Sequence, residues 1–247
     1  MSIQNHCENC QNEIQGNFCS YCGQKKGIGK ITFKETFHDF VEMVFSVNAP
    51  LMKASKLLVT NPGKLFREYL SGKRKTYYKP VSFFIISTIV YLVIRSLINY
   101  NPMANANIGT VPKDFEVTLF MKAGQYMVTN INNIMFLFVF TLGLFFKFLF
   151  YKRNSLAEFI AISFYLVGAY TLIGTLIMFY LKYSGSGQNY IPVLVFLFYI
   201  LYAFSSYFKS KSFLTILKIM VAYILSFIFY AMLGYGLSFL IVWLKSL

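Results

Sequence analysis

An all-α polytopic membrane protein of about five transmembrane helices, preceded by a small four-cysteine module, is the fold class this sequence predicts. Two patterns carry the prediction: long apolar runs, all lying after Pro80, and four cysteines confined to residues 7–22. Composition is the third observation. Of 247 residues, 57% are hydrophobic, 19% aromatic and 13% charged, whereas soluble domains carry roughly 25% charge. Too little polar surface remains to cover a soluble fold of this length.

The cysteines form two C-x-x-C pairs, Cys7 with Cys10 and Cys19 with Cys22, separated by eight residues. Each pair can make a tight knuckle whose two sulfurs grip one metal ion, and two knuckles complete a tetrahedral thiolate site. Gly23 follows the second pair where a knuckle tends to need positive φ, which glycine adopts without penalty; Gln11 holds the matching place after the first. Two disulfides are the alternative and would require an oxidising compartment. His6 could replace a sulfur, but four cysteines already fill the shell. The cofactor expected is therefore structural Zn²⁺ on Cys7, Cys10, Cys19 and Cys22, with no open position for a substrate. So short a segment would draw its folding free energy from the metal. Glu8, Glu13 and the thiolates make this module acidic, which disfavours nucleic acid as its ligand.

Residues 24–30 read as a hinge with two glycines. Thr32 and Glu35 then form a capping box, and Phe33, Phe37, Phe40, Val41, Val44 and Phe45 recur at helical spacing. A second short helix is expected over 51–60. Asn61 and Pro62 open a third, with asparagine as N-cap and proline at the first helical position. The third helix leads into a basic stretch before the first span. This pattern fits helices lying in the bilayer interface, with Lys64, Arg67, Lys73, Arg74, Lys75 and Lys79 on anionic headgroups and Tyr77 and Tyr78 at headgroup level. Packing of these helices on each other or on loops of the bundle is the competing reading. The expected domains are thus a zinc ribbon over 1–24, basic amphipathic interfacial helices over 25–80, and a transmembrane helical domain over 81–247.

A crossing helix needs about 20 mostly apolar residues, and the candidate spans are 81–100, 131–151, 156–181, 190–208 and 213–244. The stretch 115–130 is too polar to span and reads as an outer interfacial helix or an extension of the second span. Gly234 and Gly236 are candidate bends in the last span. The polar start lacks an apolar run of its own, so the first span is expected to act as the insertion signal. With the N-terminus inside, the inner side holds 18 of the 23 Lys and Arg residues, and the outer side holds Lys113, Lys122, Lys182 and Lys245. The positive-inside rule then puts the N-terminus in the cytosol and, after five spans, the C-terminus outside.

Ionisable groups inside spans are functional candidates. Arg95 is the possible intramembrane polar residue, near enough to the outer end of the first span to snorkel. Glu158 opens the third span, but with Ser155 it completes another capping box. Asn130, Asn132 and Asn133 gather at the start of the second span, where helix capping accounts for them. No metal-hydrolase, Ser-His-Asp or phosphate-loop spacing is present. Both histidines, His6 and His38, precede the spans, so no catalytic residue is assigned and enzymatic activity is disfavoured.

In this sequence Pro62, Gly63 and Lys64 are followed by Arg67, Glu68 and Tyr69, then Gly72, Lys73 and Arg74, then Tyr77 and Pro80. With the cysteine pairs and the spans, this arrangement resembles a family of uncharacterised bacterial inner-membrane proteins, a domain of unknown function with an N-terminal zinc ribbon and a basic connector. The resemblance implies a multi-pass protein of the bacterial inner membrane and assigns no activity. A polybasic tether alone would not require Pro, Gly, Glu and Tyr at fixed places. The function expected is a non-enzymatic adaptor or scaffold, whose ribbon and basic helices recruit or sense a cytosolic protein partner at an anionic membrane surface. The alternative is a channel or small-solute transporter with a regulatory ribbon. Oligomerisation is compatible with either.

Overall fold

The computed structural model describes His6, Cys7 and residues 9–23, 49–101, 119–184, 191–210 and 212–246. The hinge over 24–30 and the amphipathic helix expected over 33–45 lie outside the described residues, as do Lys113 and the side chains of Asn132 and Asn133. The chain forms two compact units, Met1–Ser46 and Val47–Leu247. The first contains the cysteine module, with one antiparallel bridge between His6 and Glu13.

The described residues of the second unit are all helical or connecting. The helices are α1 (Ala49–Thr60), α2 (Pro62–Leu70), α3 (Pro80–Leu97), α4 (Leu119–Thr129), α5 (Ile131–Leu149), α6 (Leu156–Ser184), α7 (Ile191–Phe208) and α8 (Phe213–Leu244). Four of them, α3, α6, α7 and α8, are each long and apolar enough to cross a membrane. A fifth crossing follows if α4 and α5, bent by 84° relative to each other, count as one span. The polar stretch before the second apolar run is thus its own helix, sharply angled to that run. Its end is set by side chains that turn back on its last carbonyls: Thr129 Oγ1 donates to Gln125 O at 2.9 Å and Asn130 Nδ2 to Tyr126 O at 2.9 Å.

Helix α6 is the centre of the unit, packed against α3, α5 and α7, while α8 packs on α4, α5 and α7. Lipid gives helices no hydrophobic reason to associate, so close packing of small residues does the work. A Cβ on Gly143 would stand 2.8 Å from Ile160 Cγ1, and one on Gly168 would stand 2.8 Å from Phe83 Cδ1. These glycines let α5 and α3 approach α6. Aromatic rings fill the rest, with Phe146 stacked on Phe204 at 3.8 Å between centroids. Buried Ser163, Thr171 and Ser226 each donate to the carbonyl four residues earlier at 2.6–2.8 Å, which satisfies hydroxyls that have no water to bond. Helix α8 runs unbroken through Gly234 and Gly236. At about 1.5 Å per residue it is roughly 48 Å long, well beyond the hydrocarbon core.

The bundle has two distinct ends. At one, Arg67, Lys147, Arg153, Asn154 and Tyr207 meet: Lys147 Nζ donates to Asn154 O at 2.8 Å and Tyr207 Oη to Asn154 Oδ1 at 3.0 Å. At the other, Arg95 donates to Tyr100 O at 3.3 Å and lies 3.5 Å from Thr129 O. Lys182 also donates there, to Ile98 O, and Lys245 lies 5.4 Å from the Tyr126 ring. Among the described residues, Arg67, Lys147 and Arg153 thus lie at one end of the bundle and Lys182 and Lys245 at the other.

Candidate functional site

The cysteine module is built from two matching turns. Gln11 N–H donates to Cys7 O at 2.8 Å and Gly23 N–H to Cys19 O at 2.9 Å. Both closing residues have positive φ, 62° at Gln11 and 77° at Gly23. The need anticipated at Gly23 is therefore real at Gln11 as well, where a side chain strains the turn by about 1–2 kcal/mol. Backbone amides of Cys22 and Tyr21 donate to the Cys19 sulfur and hold its thiol below its ordinary pKa.

The turns converge. Cys7 and Cys22, Cys10 and Cys19, and Cys10 and Cys22 each have their sulfurs 3.5 Å apart, and all four sulfurs lie within 4.8 Å of one another. No two of them are bonded. Thiolates at about 2.3 Å around a tetrahedral zinc would stand about 3.8 Å from each other, so spacing and donor type both suit a metal ion held by the four. Cys7, Cys19 and Ile14 are the only buried hydrophobics of the described module. His6 is exposed, while Phe18 and Tyr21 expose 61% and 79% of their surface.

The connector is a second, differently built region. Asn61 caps α2, its Oδ1 accepting from Lys64 N–H at 3.1 Å, and Pro62 occupies the first turn. The apolar face of α2 meets α7: Leu65 and Phe66 are buried. Gly63 N–H donates to Ser206 Oγ at 3.3 Å, and a Cβ on Gly63 would overlap the Ser206–Tyr207 backbone. Arg67 returns across the same joint, one guanidinium nitrogen donating to Ser206 O at 2.6 Å and Tyr207 O at 2.9 Å. These carbonyls belong to the last turn of α7, where a cation is favoured. The end of α1 is held in kind, with Tyr199 donating to Leu58 O at 3.1 Å and Tyr202 to Thr60 O at 2.7 Å.

Beyond α2 the chain turns at Gly72, whose φ is 107°. Tyr77 Oη donates to Glu68 Oε2, and Lys73 Nζ lies 3.6 Å from the same oxygen. That hydrogen bond, with Lys73 and Lys64 nearby, holds the Glu68 carboxyl below the usual range. Burial, with Glu68 beside it, pushes Tyr77 up to about 12. Tyr165, buried in α6, donates to Tyr78 O and receives the Tyr69 ring edge-on at 5.5 Å. Pro80 then opens α3.

The residues picked out in sequence as membrane-surface ligands therefore fall into two groups. Lys64, Lys73, Arg74, Lys75 and Lys79 are exposed. Arg67 is partly buried and committed to α7 carbonyls. Arg95 is bound to the ends of α3 and α4, and Glu158 closes its capping box, accepting from Ser155 N–H at 2.8 Å and donating its own N–H to Ser155 Oγ at 3.2 Å. The tyrosine clamps of α7 and the Ser206 joint were not visible in sequence, since their partners lie about 140 residues away.

A family model described as a protein of unknown function, DUF3667, matches residues 50–92. The match covers α1, α2, the turn at Gly72 and most of α3, which is the connector just described. No curated protein and no solved structure matches the chain.

Proposed function

We propose that the chain is a multi-pass inner-membrane adaptor, in which a zinc-stabilised ribbon on the cytosolic side captures a protein partner and the basic connector holds that event at an anionic bilayer surface. The observation that carries this reading is the four-sulfur cluster on a module with almost no core. A metal with four thiolates has no place for a substrate, so its role is to fold the module and present what lies outside the cluster. Phe18 and Tyr21 lie there, large aromatics of the kind enriched at protein interfaces. The exposed Lys64, Lys73, Arg74, Lys75 and Lys79 supply charge for anionic lipid at about 1 kcal/mol each. Meeting of the basic loops at one bundle end supports a cytosolic N-terminus and an outside C-terminus. Among the described residues, those lining a cavity within the bundle are uncharged, which gives an ion or polar solute little to exchange for its water and favours the adaptor over a channel.

The test is crosslinking in intact membranes followed by purification of the full chain, comparing the natural protein with the Phe18→Ser/Tyr21→Ser double variant. A cytosolic protein recovered with the natural chain and reduced at least tenfold with the variant is the expected result. Equal recovery of the same proteins by both would end the adaptor reading.

A further inference from the structure

The second unit does not pack solid. A cavity of about 690 Å³ lies among α3, α4, α5, α6, α7 and α8, within the size range of small-molecule sites. Its wall is aromatic and methionine-rich, including Met135, Phe138, Met178 and Phe196. Two phenols in that wall have no hydrogen-bond partner among the described residues. Tyr230 is only 5% exposed, its ring 5.0 Å from Phe138. Tyr170, partly buried, is stacked on Phe196 at 4.1 Å. Tyr223, in the same wall, donates to Val193 O at 3.0 Å. Buried hydroxyls in folded proteins nearly always find an acceptor, and a dry bilayer interior offers no water in its place. Two phenols in the wall of one cavity, neither with an acceptor among the described residues, are therefore a request for acceptors from something that enters it.

The cavity's chemistry restricts what that is. An uncharged, apolar wall set in helices that suit hydrocarbon excludes an ionised head and a polar solute. We propose that the cavity binds the apolar chain of an uncharged membrane amphiphile, with a carbonyl oxygen accepting from Tyr170 and Tyr230. An acylglycerol ester and a prenyl quinone both offer that combination. The site stands independently of the ribbon and of any partner it captures.

Gly174 provides a way to close the site. It lines the cavity, and a Cβ there meets nothing within 4 Å, so Gly174→Trp fills free space on a helix that glycine does not favour. The full chain would be reconstituted in vesicles with trace diacylglycerol or a prenyl quinone, each carrying a diazirine on its chain, then irradiated and mapped by peptide. At least one probe is expected to label the Phe196 or Met178 segment, to be displaced by its own unlabelled form, and to lose about tenfold of that labelling in Gly174→Trp. The isosteric Tyr170→Phe/Tyr230→Phe double variant is expected to lose it several-fold, and whichever probe is displaced identifies the source of the carbonyl. Labelling confined to outward residues such as Phe148 and Phe198 would overturn the proposal. So would cavity labelling that survives both variants, or equal labelling by a phosphatidic acid probe.

Discussion

At the residue scale, backbone conformation and capping were readable because they depend on neighbours in the chain. Asn61 with Pro62, Ser155 with Glu158 and Gly23 after its cysteine pair all act as their local sequence requires. Gln11 shows the limit, since the turn imposes positive φ on a residue that gives no sign of it. Glu68 is a different case: nothing in its spacing tells that Tyr77 will be its donor. Its carboxyl is held low first by that hydrogen bond and then by Lys73 and Lys64. A carboxylate whose folded pKa is depressed contributes stability above its unfolded value, about 4.3, and that contribution is lost as pH falls through the folded value. Thermal unfolding measured from pH 7 down to pH 3 is therefore expected to show the natural chain above Glu68→Gln at neutral pH, with the two converging at the acidic end. A constant separation across that range would show that the Glu68 charge has no part in holding the turn.

At the element scale, helix lengths followed from apolar runs, whereas the placement of α1 and α2 did not. An amphipathic helix has the same pattern whether its apolar face meets lipid or protein, so sequence left both readings open for the connector. The contacts of α2 distinguish them, because Leu65 and Phe66 bury against the bundle and Gly63 meets the α7 backbone directly. Pro62, Gly63, Arg67, Glu68 and Tyr77 each shape α2, its joint with α7 or the following turn, while Lys64, Lys73, Lys75 and Lys79 stay exposed. Arg67 is the critical cation. Hydrogen bonds from a charged donor contribute about 1.5–3 kcal/mol, and both of those that Arg67 makes come from one guanidinium nitrogen at the end of α7. Arg67→Met is expected to destabilise the chain by about 2 kcal/mol, lowering the thermal midpoint by about 4–8 °C for a chain of this size. Calorimetry of the purified protein checks this. A midpoint within 1 °C or so of the natural chain's would mean the joint is held by packing alone.

At the scale of the whole molecule, the sequence pattern anticipated four or five helices able to span a membrane, because the number and length of apolar runs are properties of the entire chain. The bend between α4 and α5 and the cavity escaped it, since both depend on how side chains from distant helices fill space. The division into Met1–Ser46 and Val47–Leu247 has an energetic consequence. The first unit has Cys7, Cys19 and Ile14 for a described core, so a metal ion held by the four sulfurs would supply its folding free energy, on the order of 10 kcal/mol for such sites. The second unit has its own aromatic core and backbone hydrogen bonds. Removing metal should therefore unfold one unit and spare the other. Treating the purified chain with a strong chelator is expected to release one zinc per chain and to make the segment around Cys7–Cys22 exchange its amide hydrogens freely. Protection of α5, α6 and α8 and the bundle's thermal midpoint should stay unchanged. Cobalt added afterwards should restore protection of the ribbon together with the visible absorption of tetrahedral thiolate coordination. Loss of protection in the bundle on chelation would show that the metal supports the whole molecule rather than the ribbon. Absence of any released metal would remove the zinc site itself.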